Sequence, residues 1–586
     1  MIEGLEAYQL HWLDYTAFAL YFVAICGIGL WVGRKEKADE GDYFLAGRDL
    51  PWYAVGGSFI ASNISAEHFI GMVGAAYIYG ICVAKVEWSN IWAFSFLIWI
   101  FIPFLMASRV FTIPEFLEKR FNFAIRQIFA TITIISNVVA FLAAVLYGGA
   151  IALGSLMGWS LEVCIVSIGL VAGVWAIYGG LRSVVWTDLF TLFVMILGGM
   201  LVSLFGLYAL SGTENSVFEG FRIMVERNQG VGGSEWKEAL LKVGNNILGT
   251  DEYNRMSIMQ PLNHPFAPWI TMFVGFISMG IWYNVLNQFM IQRVLAARNS
   301  WHARMGIVMA GYLKILLPTL VVMPGLIYFA MRPDIIIENE WSKTKELSNQ
   351  VYVDMVRTLI PLGLRGLILA ALFGAIQSTV NSVLNSTSTV FTLDIYKRWM
   401  RPNASGKSLV RVGMISTTVI LVISMVMAGF VKNFEGNLFI YIQLLYAFFA
   451  APFSAIFVLG ILSRRVNGFG ALWAVGVGFA ISVILKIFYN VQAVGSLSAS
   501  VELFRPFIMQ ATFVWACSVV VCAVASRMRP APAADQVTDS LTLNFKKLNI
   551  FSDLGDRWYK SVVFWWSVFA IIILFLFLIF SSLIFK

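Results

Sequence analysis

Ala61-Ser-Asn-Ile-Ser-Ala-Glu-His-Phe69 lies inside an apolar segment, residues 53–80, that is long enough to cross a membrane. A lipid-facing helix has no use for Ser62, Asn63, Ser65, Glu67 and His68. Polar groups in hydrocarbon are costly and turn toward a cavity where something binds. The stretch predicts a membrane protein that handles a polar solute, not one that only anchors.

Composition widens the reading to the whole chain. Its 586 residues are 59% hydrophobic and only 13% charged, with a mean hydropathy of +0.78. No soluble fold of this size hides so much apolar surface. A spanning helix needs roughly 20 apolar residues. About fourteen segments qualify: 11–33, 53–80, 87–107, 128–155, 160–178, 186–211, 266–292, 305–331, 364–393, 409–430, 436–462, 468–490, 506–526 and 562–585. The runs are continuous and do not alternate, which excludes a closed barrel. The expected fold class is an all-α polytopic membrane protein.

The first span has the wrong flank for a cleaved signal peptide: Glu3, Glu6 and Asp14 lead it, with no Lys or Arg. Arg34, Lys35 and Lys37 follow it, so the N-terminus is expected outside. Alternation then puts about 25 Lys and Arg in cytoplasmic loops and 15 outside, with Lys314 inside a span. That bias follows the positive-inside rule. The net charge of +8 therefore reads as topology; the basic residues form no stripe, and no nucleic-acid partner is expected.

Cys26, Cys82, Cys164, Cys517 and Cys522 fall in or beside apolar spans without metal-ligand spacing, and read as small buried hydrophobes. Residues 212–265 are expected to form an external loop with some helix of its own, and 528–561 a cytoplasmic linker. Neither is large enough for an enzyme domain. There is no P-loop, HExxH or GxSxG. An ATP-driven pump is thereby disfavoured, and transport energy has to come from an ion gradient.

Within 53–80, Gly56-Gly57 and the run from Ser58 to Ser65 weaken the helix and free backbone carbonyls. Broken helices of this kind coordinate cations and substrate in secondary transporters. A close-packed small-residue interface between helices is the competing reading. In the span 364–393, Ala375, Ser378 and Thr379 share one helical face at i, i+3 and i+4. A hydroxyl pair and a carbonyl offer hard oxygens without a carboxylate, which suits a monovalent cation. Ordinary hydroxyl back-bonding within the helix competes with that reading. Glu87, Lys314, Gln443 and Asp188 lie within or at the edges of apolar runs and must be paired or meet a polar ligand. With Asn63 and His68 they supply donors and acceptors of both kinds, a mixture suited to a polyhydroxylated neutral solute. A structural Glu87–Lys314 salt bridge is the alternative. Tyr283, beside Trp282 and Asn284, either closes over a sugar face or simply packs.

The chain resembles the sodium:solute symporter family, in its sodium/sugar cotransporter branch. The resemblance is carried by Asp42-Tyr-Phe-Leu-Ala-Gly-Arg48, Ala61 to His68, Glu87-Trp88, Thr112-Ile-Pro-Glu-Phe-Leu-Glu-Lys-Arg-Phe121, Tyr178-Gly-Gly-Leu181, Val185-Trp-Thr-Asp188, Asn287-Gln288, Gln292-Arg293, Leu384-Asn-Ser-Thr387 and Asp394-Ile-Tyr-Lys397. These run in family order over about residues 12–527.

The resemblance implies a LeuT-like core of two inverted five-helix repeats. Here they are expected at 53–211 and 266–462, after an extra N-terminal span within 1–52. Two further spans are expected in 463–527 and a last one in 562–586. It implies sodium as coupling ion, held by Ala61, Ile64, Ala375, Ser378 and Thr379, with no organic cofactor. A second sodium site, known in some members, maps to Asp188, Ser378, Asn381 and Ser382, although Asn381 departs from the hydroxyl of two-sodium members. For sugar, the resemblance implies Asn63, His68, Glu87, Asn90, Lys314 and Gln443, with Tyr283 as inner gate and Met72 in the outer gate. Gly280 replaces an Asn, and Asn284 an aromatic, of bacterial sugar members, so the pocket is expected to be roomier on that side.

The expected activity is sodium-coupled symport of a hexose-type sugar across the plasma membrane by alternating access, not enzymatic catalysis. The expected partners are the sugar and membrane lipid, with no obligatory protein partner. Inositol or a sugar-acid or organic anion is the nearest alternative solute. An uncoupled channel or uniporter and a solute sensor are the rival classes; the short C-terminal tail disfavours the sensor.

Overall fold

The structure, a computed structural model, describes residues 10–34, 40–214, 216–431, 438–491, 498–544 and 554–581. Among the described residues there are no strands, only two isolated bridges, Leu50–Ala297 and Gln260–Pro268. Among the described residues twelve helices are long and apolar enough to cross a membrane. Two expected spans are not separate members of that set: the second half of 53–80 runs on into 87–107 as Glu67–Ser108, and 266–292 gives only the shorter Thr271–Leu286; both are interrupted in mid-course. The expected count of fourteen thus contracts where backbone breaks divide a span.

Six helices carry the functional argument: α1 (Trp12–Gly33), α2 (Trp52–Asn63), α3 (Gly180–Leu210), α4 (Gln288–Leu295), α5 (Ser300–Val321) and α6 (Leu364–Val390). α2 is the first half of the first broken span. It starts behind Pro51, whose fixed φ of −75° sets the entry, and it ends because Ile64 is extended (φ −79°, ψ 120°). Ser65 starts the second half. Its hydroxyl accepts from the Glu67 N–H at 3.3 Å and its carbonyl from the His68 N–H at 3.0 Å, a serine at a helix start. The chain then runs through a π-helical turn, Glu67–Met72, into the α-helix Val73–Tyr79.

The second broken span repeats the device. Two π-helical turns, Phe276–Gly280 and Trp282–Leu286, end at Asn287, where the backbone is extended (ψ 116°), and α4 follows. π-turns are rare and gather at functional sites. The element order is the same in 52–210 and 271–462: a broken helix, then four further crossings.

The centre is α6. Every residue from Ile368 to Val390 is buried, although Gln377, Ser378, Thr379, Asn381, Ser382 and Asn385 are polar. A helix buried on all sides is a core element, and here its polar groups face protein rather than lipid. The periphery is the opposite: α1 and the last helix, Val562–Ile579, expose Leu20, Val23, Ile571 and Leu574 at 61–68%. Exposed apolar faces of that kind match hydrocarbon. α1 also reaches inward at its start. The buried Asp14 carboxylate accepts from the backbone N–H of Gly363 at 2.8 Å and of Gly366 at 2.9 Å. It thereby caps α6, where amide groups are unpaired and the helix dipole favours an anion.

The small residues of α2 serve two purposes. Gly56 and Gly57 are packing residues: a methyl on Gly56 would sit 2.4 Å from the Gly306 carbonyl of α5. The interface reading holds for this pair, while the run beyond it forms the site. Gly56→Ala is expected to force α2 off α5 and cost about 1–3 kcal/mol. A detergent-solubilised variant that melts at the wild-type temperature would contradict this.

Residues 212–265 do contain helices, Val217–Asn228 and Ser234–Ile247. A second cap was not foreseen. Asp334–Glu338, Trp341–Leu347 and Val351–Leu359 close over the first broken span, with Tyr352 against Phe69 at 5.3 Å between ring centroids. The expected linker at 528–561 falls partly outside the described residues. All five cysteines are unpaired, and Cys82, Cys164 and Cys522 are buried.

Candidate functional site

A cavity opens beside the break in the first span. It encloses about 110 Å³, against the roughly 10–15 Å³ that one water requires, so it can admit a solute and not only a bridging water. Asn63, His68, Glu87, Asn90, Tyr283, Lys314 and Gln443 all line it. Met72 does not; it is buried on the same π-turn, away from the cavity lining.

The lining is a connected polar chain. The Lys314 ammonium donates to both the Glu87 carboxylate and the Asn63 carbonyl oxygen. The Asn63 amide donates to the Tyr283 hydroxyl at 2.5 Å. Glu87 Oε1 lies 3.4 Å from His68 Nε2. His68 Nδ1 accepts from the Ser65 N–H at 3.3 Å, which places the ring proton on Nε2, toward Glu87. Each of these residues is at most 3% exposed apart from Tyr283, so the network works in low dielectric, where such bonds are strong and unpaired groups costly.

Among the described residues, three acceptors around the cavity have no protein partner: Glu67 Oε2, Asn284 Oδ1 and the Tyr446 hydroxyl. Because Nδ1 of His68 is itself an acceptor, Glu67 at 3.7 Å receives no proton from it. Buried polar atoms are normally satisfied, so this wall asks for a ligand carrying several donors. Asn90 is differently placed. Its amide donates to the carbonyls of Val86 and Glu87 and its oxygen accepts from Asn284 at 2.8 Å. It orients Asn284 and lines the cavity with little bonding capacity left. The cavity continues past Gly280 and Asn284 to Gly275, Phe276, Phe507 and Ile508.

A second constellation sits behind the same break. The Thr379 hydroxyl lies 3.2 Å from the Ser62 carbonyl, 3.1 Å from that of Ile64 and 3.0 Å from that of Ala375. One hydroxyl hydrogen cannot serve three acceptors. Four neutral oxygens converging at a buried point form the donor set of a hard monovalent cation. Three of the five residues expected there, Ile64, Ala375 and Thr379, are thus together, and the Ser62 carbonyl joins them. Ser378 turns away and donates to Asp188 Oδ1 at 2.6 Å. Ala61 is not among the three carbonyls that the Thr379 hydroxyl meets. Among the described residues no cluster of His, Cys, Asp and Glu could hold a transition metal.

Sequence reasoning counted Glu67 among the polar residues that turn toward a cavity but gave it no place in the solute site, and it missed Tyr446. Glu67 was visible as a carboxylate in the same apolar run as His68. Tyr446 was not, because an aromatic in a span usually packs, and its ring does pack at a tilt against Trp282 and Tyr283, with centroids 5.2 and 5.4 Å away.

Comparison with known proteins adds three findings. A family described as the sodium:solute symporter family matches residues 43–478. A sodium/glucose cotransporter of Vibrio parahaemolyticus is 33% identical over 559 residues, covering 92% of this chain and 96% of that one. A sodium/myo-inositol cotransporter of Mus musculus is 30% identical over 544 residues, covering 89% and 74%. A solved Na+-coupled sialic acid symporter, substrate-bound and outward-open, superposes with a TM-score of 0.68 at 21% identity. That match covers 89% of this chain and 98% of the other, and it supports the fold.

Proposed function

The chain belongs to the sodium:solute symporter family, a multi-pass membrane protein and not an enzyme, and on that premise we propose that it couples sodium to the uptake of a hexose-type monosaccharide across the plasma membrane. The observation that carries the reading is the shared break at 62–64. The carbonyls of Ser62 and Ile64 face the Thr379 hydroxyl, while the side chain of Asn63 between them binds Lys314 and Tyr283 in the cavity. An ion that fixes these carbonyls also fixes Asn63, so each ligand raises the other's affinity by one common factor.

In this reading the two inverted repeats span 53–211 and 266–462. Sodium enters from outside and is held by Ser62, Ile64, Ala375 and Thr379. Lys314, Glu87, His68, Asn63 and Gln443 hydrogen-bond the ring hydroxyls, and Glu67, Asn284 and Tyr446 take the remaining donors. Tyr283, hooked to Asn63, leaves its place to open the inner path. A neutral polyol suits the site because Lys314 is already neutralised by Glu87, leaving no free cation for a carboxylate. The wall at Gly280 and Asn284 also suits myo-inositol, which the name of the mouse relative supports.

Labelled hexose should accumulate in proteoliposomes when an inward sodium gradient is applied and not when potassium replaces sodium. Uptake that ignores the sodium gradient would sink the coupling. A thermal-shift panel of hexoses and inositols in sodium and in potassium identifies the solute; stabilisation is expected to need both sodium and the matching polyol.

A further inference from the structure

A second oxygen cage lies one turn from the Thr379 cluster, where α2, α3, α4 and α6 meet. The Asp188 carboxylate of α3 accepts from Ser58 at 2.6 Å, Ser62 at 3.0 Å and Ser378 at 2.6 Å. Ser62 and Ser382 hydroxyls are 2.7 Å apart. One carboxylate and four hydroxyls, each at most 3% exposed, would suit a hard cation. Three of the four residues that the family resemblance maps to a second sodium, Asp188, Ser378 and Ser382, are in this cage.

The cage already holds a positive charge that belongs to the chain. Arg293 of α4 is fully buried. Its Nη2 donates to Asp188 Oδ2 at 3.2 Å, to Ser62 at 2.6 Å and to Ser382; its Nε donates to Ser58 at 2.6 Å; its Nη1 donates to the Phe289 carbonyl. A guanidinium does not lose its charge in proteins. A sodium ion added to this cage would sit at contact distance from a fixed like charge in low dielectric, where repulsion is large. Asn381, the fourth mapped residue, bonds to none of these groups, and its Oδ1 has no partner. The residues present therefore do not fit a second sodium.

We propose that Arg293 is a tethered cation standing in the place of a second coupling ion, so that the cycle moves one sodium per solute. The proposal rests on the symporter reading above and narrows it. It assigns Arg293 a positioning role as well: the guanidinium joins the half-helices α2 and α4 to α3 and α6 at every sodium concentration. Sodium dependence then comes from the Thr379 cluster alone.

The ratio of sodium to labelled hexose flux, read from reversal potentials of the full-length protein in proteoliposomes, tests this. One sodium per hexose is expected, with hyperbolic sodium activation. Two sodium ions per hexose would overturn the proposal and leave the symporter reading standing. Absence of any sodium-driven uptake would overturn that reading, and the proposal with it. Arg293→Gln, which frees the cage, is expected to make sodium activation sigmoidal and raise the flux ratio toward two, whereas Arg293→Lys keeps it hyperbolic. A transporting Arg293→Gln protein that keeps a ratio of one would show that no ion site lies under the guanidinium. Where that variant does not fold, the wild-type ratio alone decides.

Discussion

Lys314→Ala is expected to lower sodium-driven hexose uptake by about two orders of magnitude or more. Lys314 is buried and is the cation shared by Glu87 and Asn63. Truncating one partner of a buried, hydrogen-bonded charge pair costs roughly 2–5 kcal/mol, and about 1.4 kcal/mol is tenfold in an equilibrium constant. The variant loses a donor to the solute and leaves Glu87 facing only His68 across 3.4 Å. A lower melting temperature is expected as well, because an unpaired buried charge is strongly destabilising. The double variant Glu87→Gln with Lys314→Met separates folding from binding. It removes both charges and should regain most of the melting temperature, while uptake stays low. Recovery of uptake in the double variant would mean that the pair is a structural salt bridge and not part of the solute site.

Thr379→Val is expected to raise the half-saturating sodium concentration at least tenfold, in line with the loss of one charge-assisted oxygen contact of about 1.5–3 kcal/mol. It should also abolish stabilisation by sodium in a thermal-shift assay. Valine keeps the shape of threonine and deletes the oxygen on which the carbonyls of Ser62, Ile64 and Ala375 converge. Thr379→Ser restores the oxygen and should restore most of the sodium affinity. Ser378→Ala provides the contrast. That hydroxyl serves Asp188, so its loss should weaken the Arg293 cage and shift sodium affinity less than Thr379→Val does. A Thr379→Val protein with an unchanged sodium activation curve would place the ion elsewhere.

The first break was legible in the sequence because Ser62, Asn63, Ser65, Glu67 and His68 contradict the apolar run that contains them. The second was not. Residues 276–286 read as ordinary apolar helix, and their π-turns and the extended Asn287 follow from packing rather than from a local signal. The cavity residues could be named because a carboxylate and an ammonium in hydrocarbon need partners, and Glu87 and Lys314 found each other. Met72 carried no such demand; its expected gate position came from resemblance, and it lines no part of the cavity. Arg293 escaped for a different reason. At the end of an apolar segment an arginine looks like a loop cation under the positive-inside rule. Only the fold shows Ser58, Ser62, Ser382 and Asp188 from three other helices gathered on it. The cap over 334–359 escaped because short helices between spans leave no periodic signal strong enough to separate from loop.

The contact between Asp14 and the start of α6 changes what counts as the working unit. Asp14 lies on the extra helix, outside both expected repeats, yet its carboxylate holds the amides of Gly363 and Gly366. Those amides open the helix that carries Ala375 and Thr379. The first span is thus a bearing on which the central spine is seated, not a peripheral addition. Trimming the molecule to its ten-helix engine would leave that spine unseated at one end, and the ion-binding turn about three helical turns away would lose its fixed height in the membrane.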